Sequence, residues 1–169
     1  MLIGTHISLP YITGALATIA SKKAGFGKLF TARNLLIASI FGMLPDMLSI
    51  HVSQEARHAS YTHTIWFILA CTSFLPIFGL KPLRRLFPTA VLAVYAVFLH
   101  VICDMISGGV PFSGVGNGIT GDYYVMPEYW IPMDVFFTYI SWNLYKKYLR
   151  EDQEEIPISV VCEPVRIEK

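Results

Sequence analysis

Phe87-Pro-Thr-Ala-Val-Leu-Ala-Val-Tyr-Ala-Val-Phe-Leu-His-Val-Ile-Cys-Asp-Met-Ile106 is the stretch on which the reading of the fold turns. It has the length and apolar character of a helix that crosses a bilayer. Yet it carries a histidine, His100, and a carboxylate, Asp104, four residues apart and therefore on one helical face. A charged side chain inside such a helix costs about 2.5–3.5 kcal/mol on insertion scales, so the pair needs a physical reason. Metal ligation is the leading one, with a buried ion pair or a proton relay as the structural alternatives.

The rest of the chain agrees with a membrane setting. Of 169 residues, 54% are hydrophobic and only 15% charged, and the mean hydropathy is +0.51, outside the profile of a soluble domain. Apolar segments fall near 5–21, 34–51, 62–80, 87–107 and 129–148. We therefore expect an all-α, polytopic membrane bundle of about five helices over residues 1–150. Residues 151–169 read as a poorly ordered cytoplasmic tail. The amino terminus has no basic leader or cleavage pattern, so the first helix is expected to be retained. Cys71, Cys103 and Cys162 fit no disulfide or metal spacing and read as packing residues.

Loop charge sets the expected orientation. Lys22, Lys23, Lys28, Arg33, Lys81, Arg84, Arg85, Lys146, Lys147, Arg150, Arg166 and Lys169 fall on one side, and Arg57 alone falls on the other. That asymmetry puts the amino terminus outside and the carboxyl terminus inside. The basic residues then read as topology signals, and no nucleic-acid partner is expected.

With orientation taken from Lys and Arg alone, the positions of His and Asp are an independent observation. His6, Asp46, His58, His63, His100 and Asp104 come from four segments and gather at the outer face. His51 has no patterned neighbour and reads as a solvated loop residue. The mixed nitrogen and oxygen set suits Zn²⁺, with Mn²⁺ or Fe²⁺ as alternatives. Six candidates exceed the three protein ligands of a catalytic zinc, which implies either two ions or outer residues that orient the ligands. Asp46 and Asp104 are the candidate catalytic carboxylates, placed to orient a metal-bound water or take its proton. The loop Gly108–Asp122 lacks the Gly-Lys-Ser/Thr ending of a nucleotide loop and reads as a flexible outer loop able to cover the site.

The order Thr5-His6, Leu44-Pro45-Asp46, His58-Ala-Ser-Tyr-Thr-His63, His100-x-x-x-Asp104 and Pro111 resembles the bacterial inner-membrane metal-dependent hydrolases of the YdjM type over roughly residues 1–112. That family commonly carries His-Arg-Gly-x-Thr-His before its third span; Ala59 and Ser60 stand here in place of the Arg and Gly. A more distant similarity is to the zinc-dependent phospholipase C and single-strand nuclease superfamily. It implies His6, Asp46, His63, His100 and Asp104 as metal ligands and phosphate esters as substrates. A later His pair is absent, and Glu128 and Asp134 are the acidic residues able to substitute for it. The resulting expectation is an inner-membrane hydrolase with its site facing the periplasm and a lipid headgroup ester as substrate. The alternative is a metal-ion or proton-coupled transporter using the same cluster.

Overall fold

The computed structural model describes residues 3–49, 57–121 and 127–154. His51, Cys162 and all but the first four residues of the expected tail lie outside them. Among the described residues the fold is all-α: no strand forms, and the one extended pairing is an isolated bridge between Val110 and Thr120.

Helix α1 (Ile3–Lys23) is followed by α2 (Ala32–Phe41), which Thr31 caps by accepting a hydrogen bond from the Asn34 N–H at 3.2 Å. The expected second span is interrupted. After α2 the chain turns at Gly42-Met43 and resumes as the short α3 (Leu44–Leu48). Pro45 sits in the first turn of α3, where its missing N–H breaks no helical hydrogen bond. The third segment is divided in the same way into α4 (Ile65–Ser73) and α5 (Leu75–Phe78), with Pro76 in the first turn of α5. A 3-10 turn over Tyr61–His63 leads into α4, whose cap is Thr64.

The long helices are α6 (Phe87–Gly108) and α7 (Pro127–Glu154). Among the described residues one helical stretch, Arg84–Gly108, is both long and apolar enough to cross a membrane by itself. It contains the Phe87–Ile106 run. Gly109, with φ 75°, ends α6 in a conformation that a side chain would strain. Helix α7 runs to Glu154, four residues into the segment read as tail.

α1 packs along α7, and α2 along α6. Where α1 and α7 meet, the joints are polar. Asp134 accepts hydrogen bonds from the Thr5 N–H and, at 2.7 Å, from its hydroxyl. Ser141 donates to Ser8 at 3.2 Å, and the Tyr148 hydroxyl donates to the Ala15 carbonyl at 2.8 Å. Between helices in lipid such bonds average about 0.6 kcal/mol each, so the set matters more than any one member. Tyr11, Ala15, Leu35, Ala38, Leu92 and Tyr148 form one core cluster. Ile68, Val97, Val101 and Val110 form a second, with Phe112 and Met105 against it.

Large apolar side chains cover much of the outside, among them Ile40, Trp66, Leu69, Val135, Phe136 and Tyr139. In water this would be an aggregation surface; against lipid it costs nothing. The buried set, by contrast, includes Thr5, His6, Ser8, His63, His100 and Asp104. Polar groups buried under an apolar exterior must be satisfied internally.

Candidate metal centre

The polar interior is built where the helices break. Pro45 starts α3 and projects Asp46 from its first turn. The 3-10 turn presents His63 just before α4, and α6 contributes His100 and Asp104 one turn apart. His6 comes from the first turns of α1, which Asp134 fixes through Thr5. Gly42 lets α2 end against α1: a Cβ there would lie 2.9 Å from the His6 carbonyl oxygen. No side chain larger than hydrogen fits that approach.

Four groups converge. His63 Nε2 lies 3.3 Å from Asp46 Oδ1 and 3.1 Å from Asp104 Oδ2. His100 Nε2 lies 3.4 Å from Asp46 Oδ1, 3.2 Å from Asp104 Oδ2 and 3.3 Å from His63 Nε2. The four ligand atoms all lie within 4.8 Å of one another. Hydrogen bonding alone does not explain this packing, because an imidazole Nε2 has at most one proton and each of these faces three atoms. A tetrahedral ion does explain it. With ligands about 2.0–2.1 Å from a zinc ion, ligand atoms sit about 3.3–3.4 Å apart, close to the five separations given above.

The hydrogen bonds behind His63 set its tautomer. The Thr62 hydroxyl donates to the Pro45 carbonyl at 2.9 Å and so has no second proton to give. At 3.2 Å from His63 Nδ1 it can only accept, which places a proton on Nδ1 and makes Nε2, facing the cluster, the nitrogen that a metal ion would take. Ser60 Oγ lies 3.2 Å from the same nitrogen and 2.7 Å from Thr62 Oγ1. This is the outer support that metal-binding histidines ordinarily have.

Asp104, completely buried, divides its two oxygens between two neighbourhoods. Oδ2 faces His63 and His100; Oδ1 lies 3.4 Å from His6 Nε2 and 3.4 Å from an Arg57 guanidinium nitrogen. The His6 ring stacks on that of His100 with centroids 4.0 Å apart. His6 thus lies beside the quartet, against Asp104 Oδ1 and the His100 ring. Asp46 is the open member, with 32% of its side chain exposed.

His58 is not brought into the quartet. Its Nε2 lies 3.0 Å from the Gly108 carbonyl, where the ring ties the segment before the 3-10 turn to the end of α6. The spacing of two histidines did not distinguish them; the 3-10 turn, which directs His63 inward, does. Glu128 is exposed, and Asp134 serves the start of α1. The loop after α6 is held at its base: the Ile65 N–H donates to the Phe112 carbonyl at 2.7 Å, and the Trp66 indole to Ser113 at 3.1 Å. Three contributors went unassigned in the sequence. Ser60 and Thr62 lie inside a recognisable motif, and Arg57 was legible only as the lone basic residue on its side.

No curated protein and no solved structure matches the chain. The sequence profile of the YdjM inner membrane protein family, however, matches residues 1–149, a span that contains every member of the site. The chain belongs to the YdjM inner membrane protein family.

Proposed function

We propose that the protein is a multi-pass inner-membrane hydrolase that uses one metal ion, zinc by preference, held by Asp46, His63, His100 and Asp104. Its substrate would be a phosphate ester at the extracytoplasmic surface. The observation that carries this reading is the set of five ligand-to-ligand separations of 3.1–3.4 Å, the spacing that a small tetrahedral cation requires. Two imidazoles and two carboxylates form a donor set that suits zinc, with Mn²⁺ or Fe²⁺ as weaker fits.

Four protein ligands fill a tetrahedral ion, so water or substrate would reach it only by a fifth position or by displacing Asp46, the exposed member; so bound, a divalent ion would make the water acidic near neutral pH and withdraw charge from a phosphoryl oxygen. Asp46, a third exposed, is on the side that water and substrate reach, and its carboxylate accepts the proton of an entering water. Asp104 excludes solvent and holds His6, His63, His100 and Arg57 around one carboxylate. His6, stacked on His100, fixes the orientation of that ring.

The placement at the outer membrane face is supported by depth and loop charge. Asp104 lies nineteen residues after Arg85 on one helical stretch, or about 28 Å at 1.5 Å per residue. With Arg84 and Arg85 at the cytoplasmic surface, that length carries the site across a hydrocarbon core of about 30 Å. A lipid headgroup ester is the substrate that meets a site at this level. An apolar groove of about 500 Å³ begins at Leu44 and Val97, each within a turn of a site residue, and would take an acyl chain. Leu35, Ala38 and Leu92 belong to a buried hydrophobic cluster without ionisable groups, which favours hydrolysis over transport.

Metal analysis of protein purified in detergent without chelators tests the reading. Wild type is expected to retain one equivalent of metal, and His63→Ala, His100→Ala and Asp104→Ala well under half. Metal-dependent cleavage of a chromogenic phosphodiester and of labelled phospholipids tests the reaction. A wild-type protein without stoichiometric metal would sink the proposal. Metal uptake into proteoliposomes without hydrolysis would replace the hydrolase by a transporter.

A further inference from the structure

We propose that the groove bordered by α2, α4, α5 and α6 is a binding site for an anionic phospholipid of the cytoplasmic leaflet, with one acyl chain in the groove and the phosphate at Arg33. The proposal rests on the membrane placement and is independent of the metal quartet, which its failure would leave as described. Its origin is the pair of helix breaks. α2 stops after Phe41 and α4 gives way to α5 at Phe74, so neither continues unbroken beside α6. The space left between them, about 500 Å³, is lined by Phe41 and Leu44 at the first break, Phe74 and Leu75 at the second, and Ala93 and Val94 on α6. That volume is within the range of about 300–1,000 Å³ found for small-molecule sites.

The lining changes character along its length. Arg33 and Asn34, at the start of α2, and Thr89, in the first turn of α6, make one end polar. Arg33 is exposed and is the one charged residue of the described lining. The other end, at Leu44 and Val97, is apolar. An amphiphile with an anionic head and a hydrocarbon chain matches that division. The guanidinium offers paired donors to two oxygens of one phosphate, and basic pockets between membrane helices on the cytoplasmic side are where anionic headgroups bind.

The length selects the leaflet. Leu86, just before α6, and Val97 mark the two ends of the groove along that helix, and eleven residues at 1.5 Å each span about 16 Å. Half of a hydrocarbon core of about 30 Å is nearly the same distance. Leu86 directly follows Arg84 and Arg85, which loop charge puts at the cytoplasmic surface together with Arg33. The groove therefore covers the depth of the inner leaflet, with its polar end at headgroup level. A chain descending from the outer face would enter only at Leu44 and Val97 and would bring no phosphate to Arg33. The chain that the groove takes is thus assigned to a lipid of the cytoplasmic leaflet.

The test titrates full-length protein in a neutral detergent with phosphatidylglycerol or with zwitterionic phosphatidylethanolamine, each carrying a photoreactive diazirine at the end of one chain. Native mass spectrometry reads bound lipid, and peptide mapping reads the crosslink. Wild type is expected to prefer phosphatidylglycerol by about fivefold, the contribution of one basic residue at an anionic surface. Crosslinks are expected at the apolar end, on Leu44, Cys71 or Val97. Arg33→Gln is expected to abolish the preference, and Ala90→Trp, which places a ring in the groove, to lose both lipids and the crosslinks.

Equal binding of the two lipids by wild type would overturn the proposal, as would a preference that survives in Arg33→Gln. Crosslinks as dense on the exposed Val135 and Phe136 of α7 as in the groove would reduce the lipid to ordinary bilayer solvent and refute the site. A groove closed to lipid, with Cys71 joined to Cys162 by a short thiol crosslinker, would give it to the chain's own carboxyl-terminal segment. Cys71 joined to Cys71 in a dimer would give it to a second copy. Either result defeats the proposal. Should Ala90→Trp fail to fold, Arg33→Gln decides through the lipid preference, since its side chain is exposed at the start of α2.

Discussion

Removing the hydroxyls behind His63 should weaken metal binding without touching a ligand. Thr62 Oγ1 and Ser60 Oγ both lie 3.2 Å from His63 Nδ1. They fix the ring so that Nε2 presents its lone pair, and loss of such support costs about 10- to 100-fold in metal affinity. Either hydroxyl alone can still accept the Nδ1 proton, so Thr62→Val should cost only about threefold, or about 0.7 kcal/mol. Ser60→Ala combined with Thr62→Val leaves the proton without an acceptor and should approach a hundredfold, about 2.7 kcal/mol.

The two substitutions should therefore be non-additive, each alone costing less than half of the pair, as expected for groups that share one partner. Folding stability should fall separately by about 1 kcal/mol for Thr62→Val, because its 2.9 Å bond to the Pro45 carbonyl is also lost. Competition with a coloured zinc chelator, on protein verified as folded by thermal melting, separates the two effects. A double variant that binds zinc within twofold of wild type would refute both the tautomer assignment and the role given to the two hydroxyls.

Three other outcomes follow from the geometry. His58→Ala should keep a full equivalent of metal and lose about 1 kcal/mol of stability with its bond to the Gly108 carbonyl, whereas His63→Ala should lose the metal; equal metal loss in both would contradict the division between them. Gly42→Ala should force α1 away from the end of α2, costing about 1–3 kcal/mol and lowering metal occupancy through His6, and an unchanged melting temperature would show that the contact is slack. Asp134→Ala should also cost about 1–3 kcal/mol by releasing both bonds to Thr5, and unchanged stability measured in detergent would discount its role in positioning α1.

What was legible in the sequence was what a one-dimensional pattern can encode. The Phe87–Ile106 run identified α6, and the four-residue step from His100 to Asp104 put both on one face. The breaks at Gly42-Met43 and before Pro76 were harder to see, because the flanking residues remain apolar and the hydropathy never falls. His58 and His63 looked equivalent because both precede α4; only the three-dimensional turn separates a ring that closes a backbone contact from one that faces the quartet. Arg57 was visible as an exception in the charge distribution, but its nearness to Asp104 depends on a loop path that no local pattern encodes. His6 and Asp46, from different parts of the chain, were found by the side that loop charge assigns them, and the fold sets His6 against Asp104 and His100 and Asp46 against His63 and His100.

The division of Asp104 between its two oxygens also bears on biogenesis. The residues it joins begin with His6 and end with Asp104 itself, so this contact closes a loop of about a hundred residues. None of the partners from α1 to the start of α4 can complete the quartet before α6 has been synthesised and inserted. A metal held by the quartet would therefore be loaded late in the life of the chain, and until then the membrane would hold a set of packed segments without their common fastening. A quality-control protease that samples unlatched membrane proteins would meet this one in the interval between insertion and metal capture, and its cellular abundance would then follow metal supply.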